Sequence, residues 1–189
     1  MLLLAALVLT AAAWLRGAEY DEQYTLFLTA GAARPDWPDT VFAAGAVAAM
    51  QSGHASMAGI ARDLRETDVH PPLYFWAVSL WREALGPSLF VARMLSVLCG
   101  LISLSLVGVI ARRCAIAPVA AMLLTLGCYG FVYTNAVSRG FAPAQMLLLS
   151  GVALLLGRRP VLAGACLGAA CCCNYLAAFV AAAVIGATG

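Results

Sequence analysis

Long apolar stretches dominate the second half of this chain, whereas the first half holds one extended polar segment behind a short apolar start. A helix needs roughly 20 apolar residues to cross the hydrocarbon core of a bilayer, and several stretches approach or exceed that length. The pattern predicts an all-α fold, a polytopic membrane helix bundle of about five spans. The predicted spans cover residues 2–15, 89–111, 115–134, 141–157 and 160–187.

The first apolar stretch has two interpretations. Residues 2–15 would form a helix of about 21 Å, at a rise of roughly 1.5 Å per residue, which is short for a span. Leu2–Leu9 also resembles the apolar core of a signal peptide, and Ala11–Ala13 resembles a cleavage site. No basic residue precedes the apolar core, which favours a first transmembrane helix over a cleaved signal.

Residues 72–85 form a shorter apolar segment that ends in Arg82 and Glu83. The segment contains Tyr74, Trp76 and Trp81. Tyrosine and tryptophan side chains are typical of the lipid headgroup region. An interfacial or re-entrant helix fits this segment better than a span.

Arginine placement predicts the orientation. If residues 72–85 do not cross the membrane, the pairs Arg112-Arg113 and Arg158-Arg159 both lie in short cytoplasmic turns, as the bias of basic residues toward that side requires. The N-terminus is then cytoplasmic. Residues 16–88 become a long extracytoplasmic loop, and residues 135–140 a second, short one.

The long loop is predicted to contain helices of its own. Asp39 can cap a helix over about 40–51. A second helix over about 55–66 places Met57, Ile60 and Leu64 at helical spacing. Both helices are expected to be amphipathic and to lie on the membrane surface or under a larger domain.

Composition supports a membrane protein. Hydrophobic residues make up 63% of the chain, whereas soluble domains are nearer half apolar. The formal net charge of +2 gives no sign of a nucleic-acid partner, and we predict none. All seven cysteines lie in apolar stretches, which favours small buried side chains over disulfides or metal ligands. All nine acidic residues lie between Glu19 and Glu83, so chemistry is to be sought in the long loop.

In this topology several polar residues converge on the outer membrane boundary. A carboxylate can take a proton from an incoming hydroxyl, and arginine can hold phosphate oxygens bidentately. Such a set suits a substrate with a membrane-anchored phosphate. The candidates are Asp21, Glu22, Asp68, His70, Arg93 and Arg139.

The order of short motifs resembles the N-terminal part of the GT-C membrane glycosyltransferases. The most similar group is that of protein O-mannosyltransferases and lipid A aminoarabinose transferases, with the bacterial lipopolysaccharide-core transferases of the same type. The motifs are Asp21-Glu22, residues 68–76 (DVHPPLYFW), residues 86–96 (GPSLFVARMLS) and residues 138–141 (SRGF).

The resemblance implies transfer of a sugar from a polyprenyl-phosphate carrier to a hydroxyl of a lipid, glycan or protein on the outer side of a bacterial cell membrane. It implies Asp21 as the general base, with Glu22 as a helper or an alternative base. His70, Arg139, Arg93 and Asp68 would bind the lipid phosphate or the sugar. No cofactor is expected, and neither outer loop contains the D-x-D pattern of metal-dependent oligosaccharyltransferases.

Two other functions stay open at this point. Family members typically carry many more spans, so we expect residues 89–189 to be a truncated set of four helices. The chain is then either part of a complete transferase or a non-catalytic membrane fragment. A small transporter component is the third possibility, although transporters usually place ionisable groups near mid-membrane.

Overall fold

The computed structural model describes residues 1–32, 41, 43–67 and 70–187. These residues form helices and connecting turns, with no strand among them, so the predicted all-α class is confirmed. The helices are α1 (Leu2–Leu15), α2 (Tyr20–Ala30), α3 (Ala44–Met50), α4 (Met57–Thr67), α5 (Leu73–Leu85), α6 (Leu89–Arg113), α7 (Pro118–Gly127), α8 (Tyr129–Thr134), α9 (Phe141–Leu156), α10 (Pro160–Cys173) and α11 (Ala177–Gly186).

Helix α6 organises the bundle, because it packs against α1, α5, α7 and α9. One apolar core joins α1 to α6, α7 and α8 around Leu9, Leu104 and Phe131. A second core joins α2, α4 and α5 to the ends of α6, α9 and α10, and it is centred on Ile60 and Tyr74. The polar segment of the sequence is therefore a packed helical layer on one end of the bundle.

By length and composition, α6 is the one helix among the described residues that is able to cross a membrane by itself. It has 25 residues and a mean hydropathy of 2.4 over its most apolar window. Helices α1 and α2 meet the same criterion only together, and they are bent by 87° relative to each other.

Two predicted spans are divided in the structure. Residues 115–134 break at Cys128, where the backbone is extended between α7 and α8. Residues 160–187 break after Cys173, because the Asn174 side-chain oxygen accepts a hydrogen bond from the Leu176 amide at 3.0 Å. This local bond gives the backbone an alternative to the helical pattern.

The other predicted helices match the structure within a few residues. Helix α3 begins later than expected, at Ala44, and its expected cap Asp39 lies outside the described residues. The matched helices are α1, α4, α5, α6 and α9.

Helix α2 was not predicted, because its polar first turn resembles a solvated loop. A capping box starts it: the Glu22 carboxylate accepts the Glu19 amide at 3.1 Å, and the Glu19 side chain caps the Glu22 amide in return. Gly31 ends the helix in a left-handed conformation, φ 72°, which glycine adopts without a steric cost. Most of α2 is buried against α4 and α5.

Arg82 connects the C-terminal end of α2 to neighbouring segments by hydrogen bonds. Its side chain is 5% exposed and donates to the carbonyl oxygens of Leu26 at 3.2 Å, Gln51 at 2.5 Å and Pro87 at 2.9 Å, as well as to the Thr29 hydroxyl. Burial lowers the pKa of this guanidinium from its ordinary value. The carbonyl oxygens supply the compensating negative charge density.

Replacing Arg82 with Met is expected to destabilise the fold, because the carbonyl oxygens of Gln51 and Pro87 lose the donors that Arg82 supplies. Each unpaired buried group costs about 1–3 kcal/mol, so we expect a clear fall in the thermal midpoint by circular dichroism. Arg65→Met is the matched control, since Arg65 is an exposed arginine on α4. Equal thermal midpoints for the two variants would show that the Arg82 hydrogen bonds do not stabilise the fold.

Candidate active site

An exposed ion pair lies where the first turn of α2 meets the turn at residues 135–140. The Asp21 Oδ2 atom is 3.1 Å from the Arg139 Nη1 atom, and the two side chains are 57% and 16% exposed. The Arg139 guanidinium also lies over the ring of Phe141, 5.8 Å from its centroid. A solvent-accessible carboxylate therefore stands beside a largely shielded cation.

The neighbouring residue Glu22 is in a very different environment. It is fully buried and forms a bidentate pair with Arg93, which is 3% exposed. The Arg93 Nε–Glu22 Oε1 distance is 2.8 Å and the Arg93 Nη2–Glu22 Oε2 distance is 2.6 Å. Paired geometry of this kind is among the stronger charged hydrogen-bond arrangements in proteins.

Arg93 also holds the bend between α1 and α2. Its remaining donors reach the carbonyl oxygens of Ala13 at 2.7 Å, Arg16 at 2.9 Å and Gly17 at 2.7 Å. The last carbonyls of a helix have no partner within the helix, and Arg93 satisfies them at the end of α1. All its N–H groups are thus engaged within the protein, and none is left for the lipid phosphate that the sequence led us to expect there.

The turn that carries Arg139 is held from three sides. The Ser138 amide donates to Glu22 Oε1 at 2.7 Å, and the Ser138 hydroxyl lies 2.9 Å from the buried Tyr74 hydroxyl. Burial raises the pKa of Tyr74 above its ordinary value. At Gly140 a Cβ atom would lie 2.4 Å from the Cys173 carbonyl oxygen, so α10 approaches too closely for a side chain.

His70 lies at the same end of the bundle. Its ring makes edge contacts with Tyr175, at 5.9 Å between ring centroids, and with Phe75, at 6.4 Å. Phe75 is adjacent to Tyr74, which contacts the Arg139 turn. Asp68, the other candidate of this motif, lies outside the described residues.

A cluster that the sequence did not suggest borders the site. The Glu19 carboxylate accepts from Arg16 Nη2 at 2.5 Å and from the Tyr133 hydroxyl at 2.9 Å, and the Arg16 guanidinium lies over the Tyr133 ring. Burial raises the pKa of Glu19, but the two hydrogen bonds outweigh it, so the pKa lies below its ordinary value. The one signal that could have indicated this cluster is the spacing of Arg16 and Glu19, three residues apart, just after the apolar start.

An apolar groove of about 440 Å³ opens beside the ion pair, between α6, α9 and α11. Phe141, which underlies Arg139, is one of its walls, and Leu148 and Val180 line it farther along. Three polar side chains also line it: Thr134, Gln145 and Asn174. Within the described ranges, no group of three or more His, Cys, Asp or Glu side chains is placed to hold a metal ion.

Comparisons with protein-family models, with curated proteins and with solved structures give no match for this chain. The class of the site is defined by its own geometry. It is an exposed carboxylate paired with a largely shielded guanidinium, on a turn that is hydrogen-bonded to a buried ion pair and that adjoins an apolar groove through Phe141.

Proposed function

We propose that this chain carries the acceptor-activating site of a membrane glycosyltransferase, which moves a sugar from a polyprenyl-phosphate carrier to a hydroxyl of a lipid, glycan or protein. The observation that carries the proposal is the Asp21–Arg139 pair, 3.1 Å apart, in which the carboxylate is open to solvent and the guanidinium is largely shielded, near an apolar groove. An ion pair with one solvent-exposed member contributes only about 0–1 kcal/mol to stability. Stability alone therefore gives little reason for this arrangement.

The proposed setting is a multi-pass protein of a bacterial cell membrane with about five spans: α1, α6, α7 with α8, α9, and α10 with α11. Helices α2 to α5 would form the extracytoplasmic layer, and the N-terminus would be cytoplasmic. At the other end of α6, Arg113 donates to the Ala153 carbonyl at 2.5 Å, near the turn that holds Arg158 and Arg159. Basic residues gathered at one end favour that end as the cytoplasmic one.

In the proposed reaction Asp21 takes the proton of the acceptor hydroxyl as its oxygen attacks the anomeric carbon of the sugar. The bond from that carbon to the phosphate oxygen breaks, and the polyprenyl phosphate leaves with the electron pair. Arg139 neutralises the charge that develops on the phosphate, an electrostatic contribution that is large in a site shielded from water. Attack opposite the leaving group gives inversion at the anomeric carbon.

The groove suits the isoprenoid chain of the carrier. Its lining is mostly apolar, and Phe141 connects it directly to Arg139. A phosphate at Arg139 would thus have an apolar surface next to it for the first isoprene units, whose burial is favourable in proportion to their area. His70 is the proposed second residue that contacts the phosphate or the sugar. A contact of Asp68 with the same groups stays a prediction.

The test is binding of a short-chain polyprenyl monophosphate to the purified chain in lipid nanodiscs. We expect saturable binding, weakened about tenfold or more by Arg139→Gln, because a charge-assisted bond worth roughly 1.5–3 kcal/mol is lost. Arg62→Gln, an exposed arginine on α4, is the matched control and should bind as the unchanged chain does.

The uncharged polyprenol supplies the second comparison. It should bind weakly and without dependence on Arg139, since it lacks the phosphate. Absence of saturable binding to the unchanged chain would contradict the proposal and favour a non-catalytic membrane module. Equal binding of the phosphate by Arg139→Gln would remove Arg139 from the site.

A further inference from the structure

The geometry assigns Glu22 to positioning: paired with Arg93, it holds the Ser138 amide, one residue before Arg139, so that Arg139 lies opposite Asp21 and the two act together. This role rests on the proposed function for its catalytic consequence. The two adjacent carboxylates would then have separate roles. Asp21 would contact the substrate, and Glu22 would position Arg139, the ion-pair partner of Asp21.

Helical geometry separates the two side chains. Consecutive residues of an α-helix point about 100° apart around the axis. Asp21 is therefore 57% exposed, whereas Glu22 points into the bundle and is fully buried. The same first turn of α2 presents one carboxylate outward and one inward.

Both Glu22 oxygens are already occupied. Oε1 accepts from Arg93 Nε and from the Ser138 amide, and Oε2 accepts from Arg93 Nη2 and from the Glu19 amide. A carboxylate that is held in this way and shielded from solvent is poorly placed to meet an acceptor hydroxyl. It is well placed to hold its donors.

The Ser138 amide is the link to the reacting groups. It lies one residue before Arg139, and its 2.7 Å bond to Glu22 connects residues far apart in the chain. Since the acceptor is ionised, this bond is stronger than one between neutral groups. Removing the negative charge at Glu22 should loosen the turn and move Arg139 away from Asp21, although Ser138 still contacts Tyr74 and Gly140 still packs against the Cys173 carbonyl.

The experiment compares Glu22→Gln with Glu83→Gln, which alters an exposed carboxylate 2.9 Å from His54. Amide hydrogen exchange of the peptide that contains Ser138 is measured first, because it needs no substrate. We expect exchange about tenfold faster in Glu22→Gln, since a charge-assisted bond becomes a neutral one, and no change in Glu83→Gln.

Binding of the polyprenyl monophosphate is measured next, in a cycle with Arg139→Gln. If Glu22 acts through Arg139, Glu22→Gln weakens binding severalfold alone but by less than about twofold in the Arg139→Gln background, because the two effects are coupled. If each substitution weakens phosphate binding by the same factor whether or not the other is present, the positioning role is overturned.

Two results keep this inference separate from the proposed function. Protection of the Ser138 amide in the unchanged chain is required even if no sugar is transferred, and unprotected exchange there would overturn the inference whether or not Glu22→Gln folds. If the Ser138 amide is protected but the chain does not bind the polyprenyl monophosphate, Glu22 still holds the turn and the proposed function is overturned.

Discussion

Asp21→Asn is expected to lower the rate of sugar transfer by about 10²- to 10⁴-fold, the usual contribution of a general base, while the fold is kept. The amide cannot accept the proton of the acceptor hydroxyl. The side chain is 57% exposed, so its loss as an ion-pair partner costs little stability. The rate of transfer from a labelled polyprenyl-phosphate sugar is measured together with the thermal midpoint.

Asp63→Asn serves as the control for this prediction, because Asp63 lies on α4, away from the Arg139 turn. That variant should transfer at the unchanged rate. Near-normal transfer by Asp21→Asn would show that Asp21 is not the base.

Arg93→Met is expected to cost about 3–5 kcal/mol of stability, because it leaves the buried Glu22 carboxylate without its counter-charge. The carbonyl oxygens of Ala13, Arg16 and Gly17 also lose their donor. Unfolding of the purified chain is followed by circular dichroism against temperature. We expect a large fall in the midpoint.

The double variant Arg93→Met/Glu22→Leu tests the reason for that loss. Replacing both members of a buried ion pair with apolar residues is often close to neutral, so the double variant should recover part of the stability. Arg112→Met is the surface control, since Arg112 is exposed at the other end of α6. A midpoint for Arg93→Met equal to that of the control would show that the pair does not hold the bend.

Local pattern predicted most helices because the side chains that decide them are near neighbours in sequence. Apolar runs marked α1, α6 and α9, helical spacing marked α4, and a short apolar segment with aromatic residues marked α5. The same reasoning missed α2, whose polar first turn is stabilised by the Glu22–Arg93 pair and whose later residues are buried against α4 and α5. It also missed the break at Asn174, because one side-chain hydrogen bond within an apolar run does not change the spacing of the apolar residues.

The all-helical class, the confinement of acidic residues to the first half and the short set of polar residues from which a site can be built all follow from the sequence. Which of the two adjacent carboxylates faces solvent is visible only in the folded chain. The tertiary structure also shows that Arg93 is a buried partner of Glu22, and that Arg139 meets Asp21. The physical reason is that burial and pairing depend on residues far apart along the chain, such as Glu22 with Arg93 and Ser138, and local periodicity carries no information about those partners.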